Sequence, residues 1–300
     1  MHELVFVALA GFAASFVDGA LGMGFGPTSS TILLGAGLSP ATTSTTVNLA
    51  KVATGVAAAV SHWRFRNIDH RLVIRLAVAG SLGAVIGVTV LANIDGKTLR
   101  PILAAMLVVV GLRILLRFSR PLPDADTPRE GVDDYAHDPP SMPAFDQRGT
   151  GLVAAAGGVT NGLVGAWGPV VTPFLLHRGL RPRFAVGSVN TAEVAVAAVS
   201  AGSLLGALGG GGLDPGVILA MLGGGVVAAP VAALAIRFVP ARAMGLAVGA
   251  VLLLTNTREL ADWAHLSTGR WVAYFLVPVL VAIAALAPRW WPGRAAEPTS

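Results

Sequence analysis

The stretch at residues 26–48, GPTSSTILLGAGLSPATTSTTVN, returns at residues 168–190 as GPVVTPFLLHRGLRPRFAVGSVN. Both copies carry a Gly-Pro pair, a Gly-Leu-x-Pro turn and a final Val-Asn, and the offset is constant because 168 − 26 and 190 − 48 both give 142. Just upstream, the pattern Asp-Gly-x-x-Gly at 18–22 matches Asn-Gly-x-x-Gly at 161–165 with a shift of one residue. The chain therefore contains two copies of one unit.

The composition predicts an all-α polytopic membrane protein. Hydrophobic residues make up 54% of the chain and charged residues 12%, with a mean hydropathy of +0.71, whereas soluble domains carry about 25% charged residues. Seven apolar stretches come close to or reach the length of about 20 residues that crosses a bilayer: 42–61, 70–92, 98–118, 184–207, 216–237, 241–257 and 271–288.

Two further apolar stretches, 4–21 and 151–167, each run into a glycine-rich break followed by a short helix at 27–36 or 169–178. We interpret each pair as a re-entrant hairpin. Irregular backbone at membrane depth is tolerated where protein or a water-filled cavity covers it, so the two hairpins should meet inside the bundle. Corresponding breaks in a duplicated membrane unit are the sequence pattern of secondary transporters.

Loop charges predict that the second copy is inverted. The loop 62–75 carries four arginines whereas its counterpart 208–215 has no basic residue, and the turn 177–183 carries three arginines whereas 35–41 is uncharged. By the positive-inside rule, 62–75 and 177–183 are cytoplasmic, while 35–41 and 208–215 lie outside. Each repeat is then a hairpin plus three transmembrane helices.

The domain boundaries follow from this topology. We place the first repeat at 1–118, a cytoplasmic acidic and proline-rich linker at 119–147, the second repeat at 148–258, and one extra C-terminal helix with a cytoplasmic tail at 259–300. The chain has no cysteine, which excludes disulfides. Its basic residues lie at predicted helix ends, so nucleic acid is not an expected partner and the lipid bilayer is.

The paired breaks predict an anion site near the midplane. Both short helices begin with Gly-Pro, so their positive N-terminal ends with free N–H groups would point into a common cavity. Hydroxyl and amide side chains nearby can donate to anion oxygens, although Ser and Thr in membrane helices also bond to their own backbone. The predicted substrate-binding residues are Gly26, Pro27, Thr28, Ser29, Thr45, Thr46, Asn48, Lys51, Trp167, Gly168, Pro169, Ser188, Asn190 and Thr191.

Three ionisable residues fall inside apolar segments, where charge is costly and usually functional. Lys51 and Glu193 occupy matching positions, again 142 residues apart. Lys51 would attract an anion and Glu193 would exchange a proton; a structural ion pair between them is the alternative. Asp18 at the first break is a second candidate proton carrier, or a cap of the broken helix.

The glycine-rich break, Gly-Pro, Gly-Leu-Ser-Pro and Thr-rich stretch with Asn48, repeated as Gly-Leu-Arg-Pro and Gly-Ser-Val-Asn, resemble the sulfite exporter TauE/SafE family of membrane permeases. The resemblance spans nearly the whole chain. It implies a prokaryotic inner-membrane carrier of small sulfur-containing anions, such as sulfite or organosulfonates, driven by the proton gradient.

Other functions remain open at this point. An anion channel would share the cavity without a coupling group, and a carrier of another small carboxylate or oxyanion would use the same donors. An enzyme is disfavoured because the six histidines show no ligand spacing and neither HExxH nor GxSxG occurs. We expect no cofactor and no metal, a small anion and protons as partners, and leave a homo-oligomer open.

Overall fold

The computed structural model describes residues 2–21, 23–119, 145–208, 214–235, 241–266 and 269–286. Within them every regular element is a helix, which confirms the predicted all-α class. The eleven helices are α1 (His2–Leu21), α2 (Phe25–Gly35), α3 (Pro40–Arg64), α4 (His70–Asn93), α5 (Gly96–Ser119), α6 (Thr150–Val164), α7 (Gly168–His177), α8 (Pro182–Leu208), α9 (Pro215–Ala235), α10 (Ala241–Trp263) and α11 (Gly269–Leu286).

Local chemistry explains where several helices start and stop. Ser39 caps α3 by accepting a hydrogen bond from the Thr42 N–H at 3.1 Å, and Asp69 caps α4 through the Leu72 N–H at 3.0 Å. At the second break, Gly165 ends α6 in the left-handed region with φ of 68°, which a residue with a Cβ adopts at a cost. Helices α2 and α7 occupy the two segments where short helices were expected.

Both broken segments return to the end of the bundle from which they start. Asp146 just before α6 pairs with Arg178 just after α7, so the second pair is a hairpin. For the first pair, Phe6 near the start of α1 and Leu38 just beyond α2 line one and the same cavity. Each hairpin tip therefore points into the bundle.

The two copies pack against each other through corresponding helices. The first helix of each copy packs on the fourth helix of the other, as α1 on α9 and α6 on α4, while α3 packs on α8 and α5 on α10. Close contacts give the directions. Lys51 of α3 contacts Glu193 of α8, and Asn67, just after the end of α3, contacts Gly187 nearer the start of α8. The contact on α8 moves backward as the chain moves forward from α3, so α3 and α8 run antiparallel.

Helices α5 and α10 are antiparallel as well. Arg100 near the start of α5 lies 3.7 Å from Glu259 near the end of α10, and Phe118 at the end of α5 contacts Gly245 near the start of α10. The two pairs of helices that correspond by their order in the two copies thus both run in opposite directions.

Glycines bring the exchanged helices into backbone contact. A Cβ built on Gly83 of α4 would lie 2.0 Å from the Ala155 carbonyl oxygen of α6, and one on Gly158 would lie 1.9 Å from the Gly80 oxygen. Small residues allow such approach in membrane helix pairs, where packing replaces the hydrophobic drive available in water.

The bundle buries a group of polar side chains within a mainly apolar core, and its exterior is apolar. Buried side chains include Ser29, Asn48 and Asn161, each with 0% exposure, while large apolar residues such as Ile74, Leu152 and Phe275 are 64 to 77% exposed. In water such a surface would drive association, whereas in a bilayer it faces lipid.

Three of the described helical segments are long and apolar enough to cross a membrane, namely His70–Asn93, Gly96–Ser119 and Pro182–Ala207. Shorter apolar segments are Leu4–Asp18, Thr150–Val164, Pro215–Ala228 and Tyr274–Ala284. The expected span at 42–61 is helical, but its Thr, Ser, Asn and Lys side chains make it less apolar. The fold agrees with a polytopic membrane protein, and the count of seven spans stays a prediction.

Some predicted features fall outside the described residues. They lie in 120–144 of the linker, in 209–213 of the loop 208–215, and in the tail beyond residue 286. The predicted domain boundaries are accordingly untested.

Candidate functional site

The two glycine-rich breaks touch each other at the centre of the bundle. A Cβ on Gly26 would lie 1.8 Å from the Gly165 carbonyl oxygen, and one on Gly168 would lie 3.4 Å from the Met23 Cβ. The contact is reciprocal, since the start of each short helix meets the break of the other copy. Only a glycine at position 26 permits this approach.

A cavity with about 570 Å³ of empty space, including its open mouth, lies beside these breaks. Eight of the predicted site residues line it: Asp18, Gly26, Pro27, Lys51, Gly168, Pro169, Asn190 and Glu193. The remaining walls come from Met23, Gly24, Phe25, Thr54, Gly55, Ala58 and Gly165. The structure therefore brings the repeat-related Gly-Pro pairs and the three ionisable residues of the apolar segments into one space.

Lys51 is buried, with 7% exposure, and lies against the second break. Its Nζ donates to the Asn161 Oδ1 at 3.1 Å and to the Gly165 carbonyl oxygen at 2.6 Å. The third partner is the Glu193 carboxylate, which forms an ion pair with it. An ammonium has three donors, so all of them are engaged in this conformation.

The ion pair between Lys51 and Glu193 is the contact expected if the two residues serve a structural role. It joins positions related by the internal repeat across the interface of α3 and α8. Glu193 is more exposed, at 19%, and lines the cavity. Whether the pair also serves binding and proton exchange stays a prediction.

Asp18 caps the first short helix. Its Oδ1 accepts a hydrogen bond from the Phe25 N–H at 3.2 Å, so a negative charge faces the positive end of α2. The matching residue of the second copy is the neutral Asn161, which binds Lys51 instead. Among the described residues no side chain caps α7. The N-terminus of α7 at Gly168 therefore keeps its positive potential.

Asn48 lies behind the cavity wall. Its Nδ2 donates to the Ser44 carbonyl oxygen at 2.9 Å and to the Asn161 oxygen at 3.3 Å, and its Oδ1 accepts from the Asn161 Nδ2 at 2.7 Å. Asn161 Nδ2 also donates to the Ser200 Oγ at 3.1 Å. This network fixes the Asn161 side chain that holds Lys51.

Four other predicted residues bond to the backbone in the described structure. Thr45 donates to Ala41 at 2.8 Å and Thr191 to Gly187 at 2.7 Å, both to carbonyl oxygens one turn earlier. Ser188 accepts from the Asp69 N–H at 3.0 Å. The fully buried Trp167 donates from Nε1 to the Val189 oxygen at 3.1 Å. None of the four lines the cavity.

Thr28, Ser29 and Thr46 also lie outside the cavity lining. Their hydroxyls are buried, and none has a hydrogen-bond partner within the described part of the chain. Their role as substrate ligands, like that of Asn48, stays a prediction.

Sequence reasoning missed Asn161 as a site residue. The available signal was its alignment with Asp18 in the repeated Gly-x-x-Gly pattern, which marks both positions as adjacent to a break. Thr54, Gly55 and Ala58 were also missed, and they carry no polar pattern that distinguishes them from ordinary helix surface.

The cavity extends toward one end of the bundle. Thr54, Gly55 and Ala58 lie on the half of α3 that leads to Arg64, and this end also holds the contacts of Asn67 with Gly187 and of Asp146 with Arg178. Of these residues, Arg64, Asn67, Asp146 and Arg178 belong to segments predicted to be cytoplasmic.

Polar contacts connect the helices at the opposite end. One Arg100 nitrogen donates to the Gly37 and Leu38 carbonyl oxygens at 3.0 and 3.2 Å, and the Asn256 Nδ2 donates to the Thr31 Oγ1 at 3.0 Å. These bonds hold α2 against α5 and α10. Within the described ranges, no His, Asp and Glu side chains group as metal ligands.

A helical bundle with an apolar exterior, built from two copies and enclosing a charged cavity where its broken helices meet, defines a membrane transporter. The chain belongs to the sulfite exporter TauE/SafE family, whose sequence model matches residues 7–258. The resemblance found in the sequence is thus confirmed.

A relative named probable membrane transporter protein YtnM, from Bacillus subtilis strain 168, is 34% identical over 282 residues. The match covers 94% of this chain and 88% of the relative. No solved structure gives a significant match. The family and the relative indicate a multi-pass membrane transporter and not an enzyme.

Proposed function

We propose that this protein is a secondary-active transporter of a small sulfur-containing anion, such as sulfite or an organosulfonate, which binds in the cavity between the two breaks. The observation that carries the proposal is the buried Lys51 beside the uncapped start of α7. A cation and a helix N-terminus that share one cavity favour an anion. The sulfur chemistry rests on the family name.

Asn190 offers an amide to the bound anion. It lines the cavity on α8, one turn before Glu193, and in the repeat it corresponds to Asn48. Together Lys51, the Gly168 N–H and Asn190 supply donors from three helices, which suits an anion with several oxygens. Thr28, Ser29 and Thr46 are proposed to serve the anion in a second conformation.

Proton coupling follows from the charge of the cavity. Its titratable lining residues in the described chain are Asp18, Lys51 and Glu193, and with both carboxylates ionised their charges sum to −1. An anion entering that field is repelled, strongly so in a low-dielectric interior. Protonation of one carboxylate removes the excess, so we propose that protons accompany the anion.

We further propose that the two repeats are inverted in a prokaryotic inner membrane, with seven full spans and with the linker and C-terminus in the cytoplasm. The antiparallel directions of α3 and α8 and of α5 and α10 support this, because inversion requires equivalent helices to run oppositely. With the arginine-rich end inside, the cavity faces the cytoplasm.

A channel is the less favoured alternative. Arg100 connects α5 to Gly37 and Leu38 at the end opposite the cavity mouth, and we propose that these contacts are part of the gate that alternating access requires of a carrier. A closed channel would share this geometry, so flux measurements must decide.

The proposal is tested with purified protein in liposomes. Sulfite and methanesulfonate uptake should saturate, respond to a pH gradient and be lost in Lys51→Met. The matched control is Lys97→Met, which changes the same side chain at an exposed position at the far end of the bundle. Flux that rises linearly with concentration and ignores pH would favour the channel, and no flux of either anion would reject the substrate class.

A further inference from the structure

We propose that the Glu193 carboxylate occupies the place that the transported anion takes on Lys51, and that the anion binds only when Glu193 takes up a proton and releases the ammonium. This inference rests on the proposed function, because it takes the cavity to be the anion site. It goes further by assigning the coupling to competition between two anions for one cation.

The first step is that Lys51 has no free donor. Its partners are Asn161, Gly165 and Glu193. An external anion can approach the ammonium closely only if one of these leaves.

The second step is that Glu193 is the partner able to leave. Asn161 is held by Asn48 and Ser200 through its Nδ2, and the Gly165 oxygen also accepts from the Trp167 N–H at 3.2 Å. Within the described residues, Glu193 makes no hydrogen bond besides the one from Lys51. Its side chain is also the more exposed of the ion pair and faces the cavity.

The third step is electrostatic. Two anions on one ammonium in a poorly solvated cavity repel each other, so the bound anion and the ionised carboxylate exclude one another. Water at the cavity mouth delivers a proton, the carboxylate becomes a neutral carboxyl, and no other bond changes. Lys51 then keeps its contacts to Asn161 and Gly165 and presents its third donor to the anion.

The charged residues around Glu193 agree with its role as the carboxylate that competes for Lys51. Lys51 faces it from α3 and Asp18 from α1 across the cavity. Helices α4, α6 and α7 also pack on α8, but they add no charged side chain to the described cavity wall. Asp18 is bound to the start of α2, so the carboxylate that sits on the cation is that of Glu193.

The competition fixes the number of protons taken up per anion and the direction in which the affinity changes with pH. Each anion that binds brings one proton with it, so a monoanion moves with no net charge. Where the carboxylate of the free protein is ionised, the dissociation constant rises about tenfold per pH unit, because the proton must be taken from an ever more dilute supply. Removing the carboxylate removes this dependence.

The test uses the full-length protein in detergent and isothermal titration calorimetry with methanesulfonate, which stays a monoanion at every pH used, and with sulfite as second probe. Titrations in buffers of different ionisation enthalpy count the protons taken up. The expected result for the wild type is close to one proton per methanesulfonate, with a tenfold weaker affinity for each pH unit in the alkaline range.

Glu193→Gln should bind methanesulfonate more tightly than the wild type at high pH, with no proton uptake and no pH dependence. Glu259→Gln makes the same chemical change at the opposite end of the bundle and should retain the wild-type slope. The proton count is made on the wild type, so the inference can be refuted even if Glu193→Gln fails to fold.

The outcomes separate the two proposals. Binding with zero proton uptake overturns the competition and leaves the anion site intact. A slope that is lost in Asp18→Asn and kept in Glu193→Gln also overturns it, by assigning the proton to Asp18. Failure of the wild type to bind either probe at any pH rejects the proposed substrate class and the inference with it.

Discussion

Substituting Gly26 by alanine tests whether contact between the two breaks forms the site. The added Cβ would lie 1.8 Å from the Gly165 carbonyl oxygen, and moving it to an ordinary contact of 3.4 Å requires a shift of about 1.6 Å. The position of a Cβ is fixed by its backbone and the oxygen belongs to backbone, so no side-chain rotation can relieve the overlap. Overpacking of this kind costs about 1 to 3 kcal/mol.

The shift has a second cost at the adjacent cation. The Gly165 oxygen accepts from the Lys51 Nζ at 2.6 Å, and a displacement of that size away from the ammonium breaks the bond. A hydrogen bond to a charged group contributes about 1.5 to 3 kcal/mol. We therefore expect Gly26→Ala to lower the free energy of unfolding by about 2.5 to 6 kcal/mol in total and to weaken anion binding.

Equilibrium unfolding in detergent micelles, with thermal shifts by sulfite as the binding readout, measures both effects. The control is Gly202→Ala, since a Cβ on this exposed glycine of α8 meets no atom within 4 Å. It should be neutral or stabilising by up to about 1 kcal/mol, as expected for alanine in a helix. If Gly26→Ala were as stable as Gly202→Ala and bound sulfite equally well, the breaks would not be in the contact described.

Three further predictions address the ion pair of Lys51 with Glu193, the membrane topology, and the carboxyl of Asp146 at the open end of the second hairpin. Lys51→Met or Glu193→Gln alone should cost about 3 to 5 kcal/mol of unfolding free energy by leaving a buried charge unpaired, and the double variant should recover part of that loss; strictly additive losses in a double-mutant cycle would mean that the pair is not coupled. Single cysteines replacing His177 and Ala36, which lie in corresponding turns of the two repeats, should label from opposite sides of the membrane, and labelling from one side would reject inversion. The backbone N–H of Arg148, followed by the guanidinium of Arg178, lowers the pKa of Asp146 below 3.8, so the stability that this carboxylate contributes is present above pH 3.8 and is lost as the pH falls through the folded-state pKa. Asp146→Asn should therefore lower the melting temperature at pH 6 but not at pH 2. An equal difference at both pH values would exclude titration of this carboxyl.

The sequence by itself determined the class, the duplication and the place of the breaks. Apolar length and the scarcity of charge require a membrane protein whatever the tertiary contacts are. Paired Gly-Pro motifs start short helices because proline fixes φ and lacks an N–H, which is a local property. Lys51 and Glu193 could be singled out because charge inside an apolar helix is costly wherever it lies.

Only the tertiary structure decided which of the predicted residues share the cavity. Gly26, Pro27, Gly168, Pro169 and Asn190 line it, while Asn48, Thr45, Ser188, Thr191 and Trp167 are bonded within the bundle. A hydroxyl or an amide can turn to its own helix, to a neighbouring helix or to a cavity, and the sequence pattern is the same in all three cases.

The partner of each charge is likewise a property of the assembled helices. Asp18 and Asn161 occupy matching positions in the repeat, yet Asp18 caps α2 and Asn161 binds Lys51. The choice depends on which donors lie within about 3 Å after helices from distant parts of the chain have packed, a distance that no local spacing encodes. For the same reason the repeat marked Lys51 and Glu193 as equivalent, but their ion pair follows from the antiparallel contact of α3 with α8.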